Sequence, residues 1–456
     1  MATATGPPGT TVRPVSDPTT TPSPLTGARL RLAVGDVAHG GHCVARIDDA
    51  AGAPAEHVGR VVFVRHTLPG EQVTALVTED QGGGFLRADA VEVHTAAPGR
   101  VEPPCPFSGP GRCGGCDWQH AEPDTQLALK TSVLREALHR FAGLDLDVKV
   151  EPLAGGPLYW RTRTLFAVDR SGPAPVLGLR RHRSHEVEPV AACPISAPGV
   201  GDAPTVRFRP EDIRSDVTGV EYVLGDAGTV STVVHRPAPT AGRQRRGRRA
   251  PDRTAVVDGP EQVWHVVAGR SFQVSAAGFW QSHPLAAPTF VAAVVEGLAP
   301  QPGEKVLDLY AGCGPFTGVL ADLVGSGGAV AGLESDRTAV GDAAANLADL
   351  PWASVHAARV DAGSVAAAAG ELGGVDLVVL DPPRSGAGAA VVEAIAATGP
   401  RAVAYVACDP VALARDLAAF ARQGWALDTL RAWDAFPMTH HLECVAVLRP
   451  EVGRKL

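Results

Sequence analysis

The chain has 456 residues and a mass of 47.0 kDa, which excludes a lone small module and makes room for about two to four domains. Hydrophobic residues make up 45% and charged residues 20%, so a chain disordered throughout is excluded. The net charge of −8, from 41 Lys and Arg against 49 Asp and Glu, excludes a surface coated in basic charge but allows a local basic face for nucleic acid.

Residues 1–26 are rich in Thr, Pro, Ser and Gly and read as a disordered tail, because they carry too little apolar surface to offset the entropy of ordering. The start lacks the apolar segment of a signal peptide, and no stretch approaches the roughly 18 to 20 apolar residues that span a bilayer. A cytoplasmic protein is expected. Across 27–97, short runs such as LRLAVGDVA, RVVFVRHTL, EQVTALVTE and ADAVEVH between Gly-rich turns predict a small antiparallel, OB-like β-barrel. Residues 98–275 read as a central α+β domain with a helix near TQLALKTSVLREALHRFAG, interrupted by an arginine-rich loop at 236–253. The eight cysteines are too sparse for a disulfide scaffold. Cys105, Cys113 and Cys116 nevertheless cluster as C-x7-C-x2-C in CPFSGPGRCGGC, and Cys193 can supply a fourth thiolate. Four thiolates suit zinc or an iron-sulfur cluster.

From 276 to 456, and most regularly after Pro302, strand-like and helix-like runs alternate: KVLDLYAG, FTGVLADLV, AVAGLES, TAVGDAAANLAD, DLVVLDPP, VVEAIAAT, AVAYVAC and VALARDLAAFARQG. That rhythm predicts an α/β fold with a parallel, doubly wound sheet that binds ligands at the carboxyl ends of its strands. In VLDLYAGCGPF, Asp308 ends a strand, Gly312 and Gly314 open the next helix, and Glu334 ends the second strand, where a carboxylate can hold two ribose hydroxyls. A dinucleotide fits poorly, since Thr317 occupies the third glycine position of its fingerprint. The Asp-x-x-x-Gly-x-Gly arrangement resembles instead the first motif of class I (Rossmann-like) methyltransferases. In LVVLDPPRSG, Pro382 and Pro383 stop a strand beside Asp381, and in YVACDPVALARDL, Cys408 ends another before a helix capped by Asp409. The positive end of that helix is expected to favour the thiolate. Glu443 begins the last strand, so a nucleophile and a separate base face one cleft.

These residues resemble the RNA 5-methyluridine methyltransferase family over nearly the whole chain after the tail. The resemblance implies S-adenosyl-L-methionine as cofactor, held by Gln281 in FWQSHP, Tyr310 in DLYAG, Glu334 in GLES, Asp361 in ARVDAG and Asp381 in LDPPRSG. It implies Cys408 as nucleophile and Glu443 as base. The barrel looks like a TRAM domain, which implies RNA binding through stacking on Phe63 and Phe85 and phosphate contacts by Arg46, Arg60, Arg65 and Arg87. The cysteine segment resembles that of the ribosomal-RNA branch and implies a 4Fe-4S cluster, the longer first gap leaving zinc open. Two positions depart from the family: Pro315 and Asp409 stand where it carries Asn. The implied reaction is methylation of carbon 5 of uridine in a structured loop of RNA, ribosomal RNA first with transfer RNA as the alternative substrate, and with no membrane or obligate protein partner. A non-catalytic RNA-binding assembly factor and an NAD-dependent enzyme are the alternatives from other classes.

Overall fold

A computed structural model of the protein describes residues 24–209, 211, 213–238 and 253–451; the expected tail up to residue 23 and the arginine-rich stretch 239–252 lie outside them. Alternating burial along β1 (Arg29–Val37) sends Leu30, Leu32 and Val34 inward. With β2 (Cys43–Arg46), β3 (Val61–Arg65), β4 (Gln72–Glu79) and β5 (Phe85–Thr95) it closes a barrel in the order β1-β2-β3-β5-β4. The barrel is not wholly antiparallel as its hairpin-like runs imply, because β3 and β5 pair in parallel. A longer connection through β4 lets β5 return alongside β3.

The helix α1 (Pro123–Ala137) continues into a π-helical turn, Leu138–Ala142, and ends at the left-handed Gly143 (φ 66°). The strand that follows, β6 (Val150–Pro152), adds to the edge of the C-terminal sheet. The central sheet has the order β12-β11-β10-β7-β8-β9, formed by β7 (Arg163–Asp169), β8 (Val176–Arg180), β9 (Val187–Pro189), β10 (Gly219–Leu224), β11 (Val230–Arg236) and β12 (Arg253–Asp258). One helical turn, α2 (Ala203–Val206), interrupts it, and a hairpin of β13 (Gln262–Val267) and β14 (Arg270–Ser275) leads out.

The C-terminal sheet has eight strands in the order β17-β16-β15-β18-β19-β21-β20-β6. Its members are β15 (Lys305–Leu309), β16 (Ala329–Glu334), β17 (Ala353–Ala357), β18 (Leu377–Leu380), β19 (Ala402–Ala407), β20 (Trp425–Asp434) and β21 (Glu443–Pro450), of which β21 runs antiparallel to both neighbours. Helices α3 (Ala286–Leu298), α4 (Pro315–Val324), α5 (Arg337–Asn346), α6 (Ala362–Leu372), α7 (Ala389–Thr398) and α8 (Pro410–Arg422) cover the sheet. Period-two alternation divides the strand side chains between two cores. Val306, Val330, Val379, Ala404, Val406 and Val445 face one; Leu307, Leu333, Leu380, Tyr405 and Cys444 face the other. The strand order reverses between β15 and β18, the crevice where such sheets take ligands. Among the described residues, no helix is long and apolar enough to cross a membrane.

Candidate active site

The same alternation places the acidic residues. Counting in twos, Asp308 follows Val306, Asp381 follows Val379, Glu334 follows Val330, Cys408 follows Val406 and Glu443 precedes Val445, so all five belong to one face of the sheet. The β19–β21 register ends on the pair Ala407–Cys444, so Cys408, the residue after β19, and Glu443, the first residue of β21, flank that last pair, and the Glu443 carboxyl acts on the thiol. Cys408 is partly exposed and Glu443 is buried at 3%.

On the donor side, Glu334 is clamped by backbone: it accepts from the Gly312 N–H at 3.0 Å and the Asp336 N–H at 2.7 Å. Asp308 is fully buried and accepts from the Thr317 hydroxyl at 2.6 Å, while its Oδ1 has no partner. Burial pushes Asp308 up to about 7, opposed by the Thr317 hydrogen bonds, and burial followed by repulsion from Asp308 pushes Asp381 up to about 7. Gly312 has φ 56°, and a Cβ there would meet only open space. An orphaned buried carboxylate oxygen and two raised carboxyls mark a pocket short of positive charge, beside a turn that a ligand can approach closely.

The remaining donor-binding candidates are placed by different devices. Tyr310 has φ 65°, which breaks the alternation and turns its half-buried ring toward the opposite core. Gln281 lies on the loop before α3, held on both sides: Trp280 stacks on His265 at 4.6 Å, and the Ser282 carbonyl accepts from the Thr162 N–H and hydroxyl, each at 2.9 Å. Asp361 is exposed and caps α6 by accepting from the Ser364 N–H at 3.0 Å.

At the candidate nucleophile, the thiol is raised where the helix N-terminus was expected to lower it. Burial, then Glu443 and Asp381, push the Cys408 thiol up to about 12, with only Arg384 acting the other way. The positive end of α8 is already taken by Asp409, which accepts from the Val411 and Ala412 N–H groups. Burial, then Asp381, also raise Glu443 well above the ordinary carboxyl range. A raised carboxyl is a stronger base once ionised. Arg384 was missed from sequence although it sits within the quoted LDPPRSG; its guanidinium lies 3.3 Å from His441 Nε2. Asp416 was missed too: from α8 it accepts from the Ala387 N–H at 2.7 Å and the Tyr405 hydroxyl at 2.7 Å, fixing the loop that carries Arg384. Composition gives no sign of such a partner across 29 residues of chain.

The loop before Glu443 is clamped by the cysteine segment. The N–H groups of Asp117 and Trp118 donate to the Met438 carbonyl at 2.9 and 3.0 Å, Asp117 accepts from His440 Nδ1 at 2.6 Å, and Gln126 accepts from the Met438 N–H at 2.8 Å. Met438 itself has φ 67°, a conformation held only by such partners. Cys105, Cys113, Cys116 and Cys193 line one cavity with Phe107, Leu179, Val190 and Ile195. Among the described residues, however, no three His, Cys, Asp or Glu side chains form a group that could hold a metal ion.

In the barrel, Phe85 is 46% exposed, packs edge-on to Phe63 at 5.5 Å and lies 5.3 Å from the Arg87 guanidinium. Two of the expected phosphate contacts do not hold. Arg60 is tied to Asp80 at 2.7 Å, and Arg65 is buried 3.6 Å from Asp117, so both cations serve internal carboxylates. Arg46 is exposed and donates to the Gly59 carbonyl at 3.2 Å.

Residues 25–91 match the TRAM domain family and residues 267–451 match the tRNA (Uracil-5-)-methyltransferase family. An uncharacterized RNA methyltransferase of Streptomyces avermitilis is 47% identical over 93% of this chain and 99% of its own. The 23S rRNA (uracil(1939)-C(5))-methyltransferase RlmD of Alkalilimnicola ehrlichii is 34% identical over 87% of this chain and 93% of its own. The fold matches the crystal structure of Pyrococcus abyssi tRNA (uracil-54, C5)-methyltransferase in complex with S-adenosyl-L-homocysteine, with a TM-score of 0.63 and 21% identity over 86% of this chain and 96% of that one. The chain therefore belongs to the RNA uracil-5-methyltransferase family.

Proposed function

We propose that this protein methylates carbon 5 of a uridine in ribosomal RNA through a covalent adduct with Cys408. The observation that carries the reading is that Cys408 and Glu443 flank the last β19–β21 pair, beside the acids Asp308, Glu334 and Asp381 at the same end of the sheet. The chemistry of that face fits S-adenosylmethionine: acids raised by burial and then by neighbouring carboxyls suit a cation, and Glu334 suits a ribose. Held at this end of the sheet by Gln281, Tyr310, Glu334, Asp361 and Asp381, S-adenosylmethionine would supply an electrophilic methyl group on a positively charged sulfur.

Carbon 5 of uracil is a weak nucleophile, and the residues of this chain correct that. The Cys408 thiolate forms a bond to carbon 6, and the electron pair of the 5,6 double bond moves onto carbon 5 and the adjacent carbonyl, so that carbon 5 can accept the methyl group. Glu443 then takes the proton from carbon 5, the double bond re-forms, and the carbon 6–sulfur bond breaks to return the thiolate. The base must leave its stack to reach the crevice, which costs least in a loop or single strand. The Phe63, Phe85 and Arg87 group offers the barrel's stacking surface for such RNA.

The four cysteines are the candidate ligands of a 4Fe-4S cluster with a structural role on their spacing and shared cavity, against which stands the finding that, among the described residues, their side chains do not gather into a metal-holding group. Iron and acid-labile sulfide in protein purified without oxygen, lost in Cys113→Ser, test this assignment; zinc without sulfide would replace it.

Nucleoside mapping of large-subunit ribosomal RNA from cells with and without this protein tests the function. A 5-methyluridine that disappears with the gene and returns with the wild-type protein supports the reading. Loss confined to transfer RNA would move the substrate, and tight RNA binding with no methyl transfer would favour an assembly factor.

A further inference from the structure

The turn joining β1 to β2 in the barrel reaches the catalytic end of the C-terminal sheet. His39 Nε2 stands 2.9 Å from Asp409 Oδ2, while Asp409 Oδ1 accepts from the Val411 and Ala412 N–H groups at 3.0 and 2.8 Å. Backbone packing fixes this approach. The Trp118 indole donates to the Gly41 carbonyl at 3.1 Å, and the Ala38 N–H donates to the His42 carbonyl at 2.7 Å. Gly41, at φ 78°, lies so close to the next segment that a Cβ there would fall 2.8 Å from that of His440. The turn is wedged against the catalytic loops, and His39 sits at its tip.

Asp409 follows the nucleophile directly. The charged groups acting on the Cys408 thiol are Glu443, Asp381 and Asp409, which oppose its ionisation, and Arg384, which favours it. His441 contributes no cation, since burial and then His440 and Arg384 hold its ring down to about 3, and His440 is committed to Asp117. Of the three carboxylates facing the thiol, Asp409 is the one with an ion-pair partner among the described residues. Burial makes an uncompensated charge at this position costly to the neighbouring thiolate.

We propose that His39 is a positioning residue for the nucleophile: its imidazolium holds the Asp409 charge, so the seating of the barrel sets how readily Cys408 ionises. His39 acts through Asp409 and touches no reacting atom. The inference rests on the reading of Cys408 as the nucleophile. It makes the barrel a working part of the catalytic centre in addition to an RNA-binding module.

The test uses the full chain as His39→Ala, His39→Gln, Asp409→Asn and the His39→Ala/Asp409→Asn double variant. Iodoacetamide labelling of Cys408, followed by mass spectrometry across pH, reports the thiol directly. Methyl transfer gives kcat and KM. His39→Ala should shift the labelling profile about 0.3 pH unit upward, a roughly twofold slower reaction at fixed pH, and lower kcat similarly with KM for the donor unchanged. His39→Gln, which keeps the packing and the hydrogen bond without the charge, should follow it. In the Asp409→Asn background, removing His39 should change neither readout, because no charge remains to be held. An unshifted labelling profile in both His39 variants, or an equal loss with and without Asp409, overturns the proposal. Persistent methylation by Cys408→Ala would overturn the functional reading while leaving the labelling result to stand on its own.

Discussion

The two halves of the catalytic face carry the same surplus of negative charge and resolve it differently. On the donor side, Asp308 and Asp381 are buried with no cationic partner among the described residues, and burial followed by neighbouring acids raises both to about 7. On the nucleophile side, Cys408 and Glu443 also suffer from burial and neighbouring acids, yet there the chain brings its own cations, Arg384 beside the thiol and His39 on Asp409. The difference follows from what each half receives. On the proposed reading the first half would meet a positively charged sulfur, whereas a neutral uracil would bring the second no charge.

The contrast is broken most severely at the thiol. Cys408→Ala should reduce methyl transfer to background while donor affinity stays within about twofold, since Cys408 serves only the second half. Incorporation of labelled methyl groups, alongside titration calorimetry, checks this. Glu443→Gln should lower kcat by about 10²–10⁴, the usual loss for a missing general base. If Glu443 removes the carbon 5 proton after transfer, the variant should also accumulate an RNA–protein adduct that survives denaturing electrophoresis.

The donor half is tested by pH. Carboxyls raised to about 7 are largely neutral at pH 5.5 and charged at pH 8, so donor affinity should climb over that interval and then level off, with protons released on binding below about pH 7. Calorimetry in two buffers of different ionisation enthalpy measures that release. Asp308→Asn should weaken donor binding at pH 8 by about 10- to 100-fold, equivalent to roughly 1.5–3 kcal/mol for a charged partner, and should flatten the pH dependence. The sign for stability is the reverse. Folded-state values above the ordinary 3.8 mean that these two groups favour the folded chain fully below that value, and their contribution fades as pH rises through about 7. The donor should therefore raise the melting temperature more at pH 8 than at pH 5.5.

The smallest expected change lies outside both halves. Phe85→Ala should weaken RNA binding by about fivefold or more, roughly 1–3 kcal/mol per stacked base, and leave donor affinity untouched. A filter-binding curve indistinguishable from wild type would remove Phe85 from the RNA path.

Much of this architecture can be read in the chain because parallel strands and strand-end motifs are local signals. Asp308, Glu334, Asp381 and Cys408 each close a short apolar run, so the expected strand ends already bring them to one edge. The segments that escaped lack such contrast. β17 alternates small and polar residues at the sheet margin, and α6 is a run of Ala and Gly without a marked polar face. Tyr310 also reads as a regular strand neighbour, and only its positive φ reveals the reversal. Charge partners were the least legible. Arg60 and Arg65 look like free basic residues until Asp80 and Asp117 arrive through folding, and His39 meets Asp409 across 370 positions. Pairings of that span leave no periodicity to detect.

The edge strand β6 carries a consequence for the order of assembly. Its pairing partner Ala432 lies far along the chain from Val150, and the buried Lys130 ammonium finds its carboxylate only at Asp434, 304 positions later. During translation, Lys130 must stay hydrated and the edge of the nascent sheet unsealed until almost the whole polypeptide has left the ribosome. Products that terminate early would expose that lysine and its apolar surroundings, and would be open to proteolysis before they could capture a donor or an RNA.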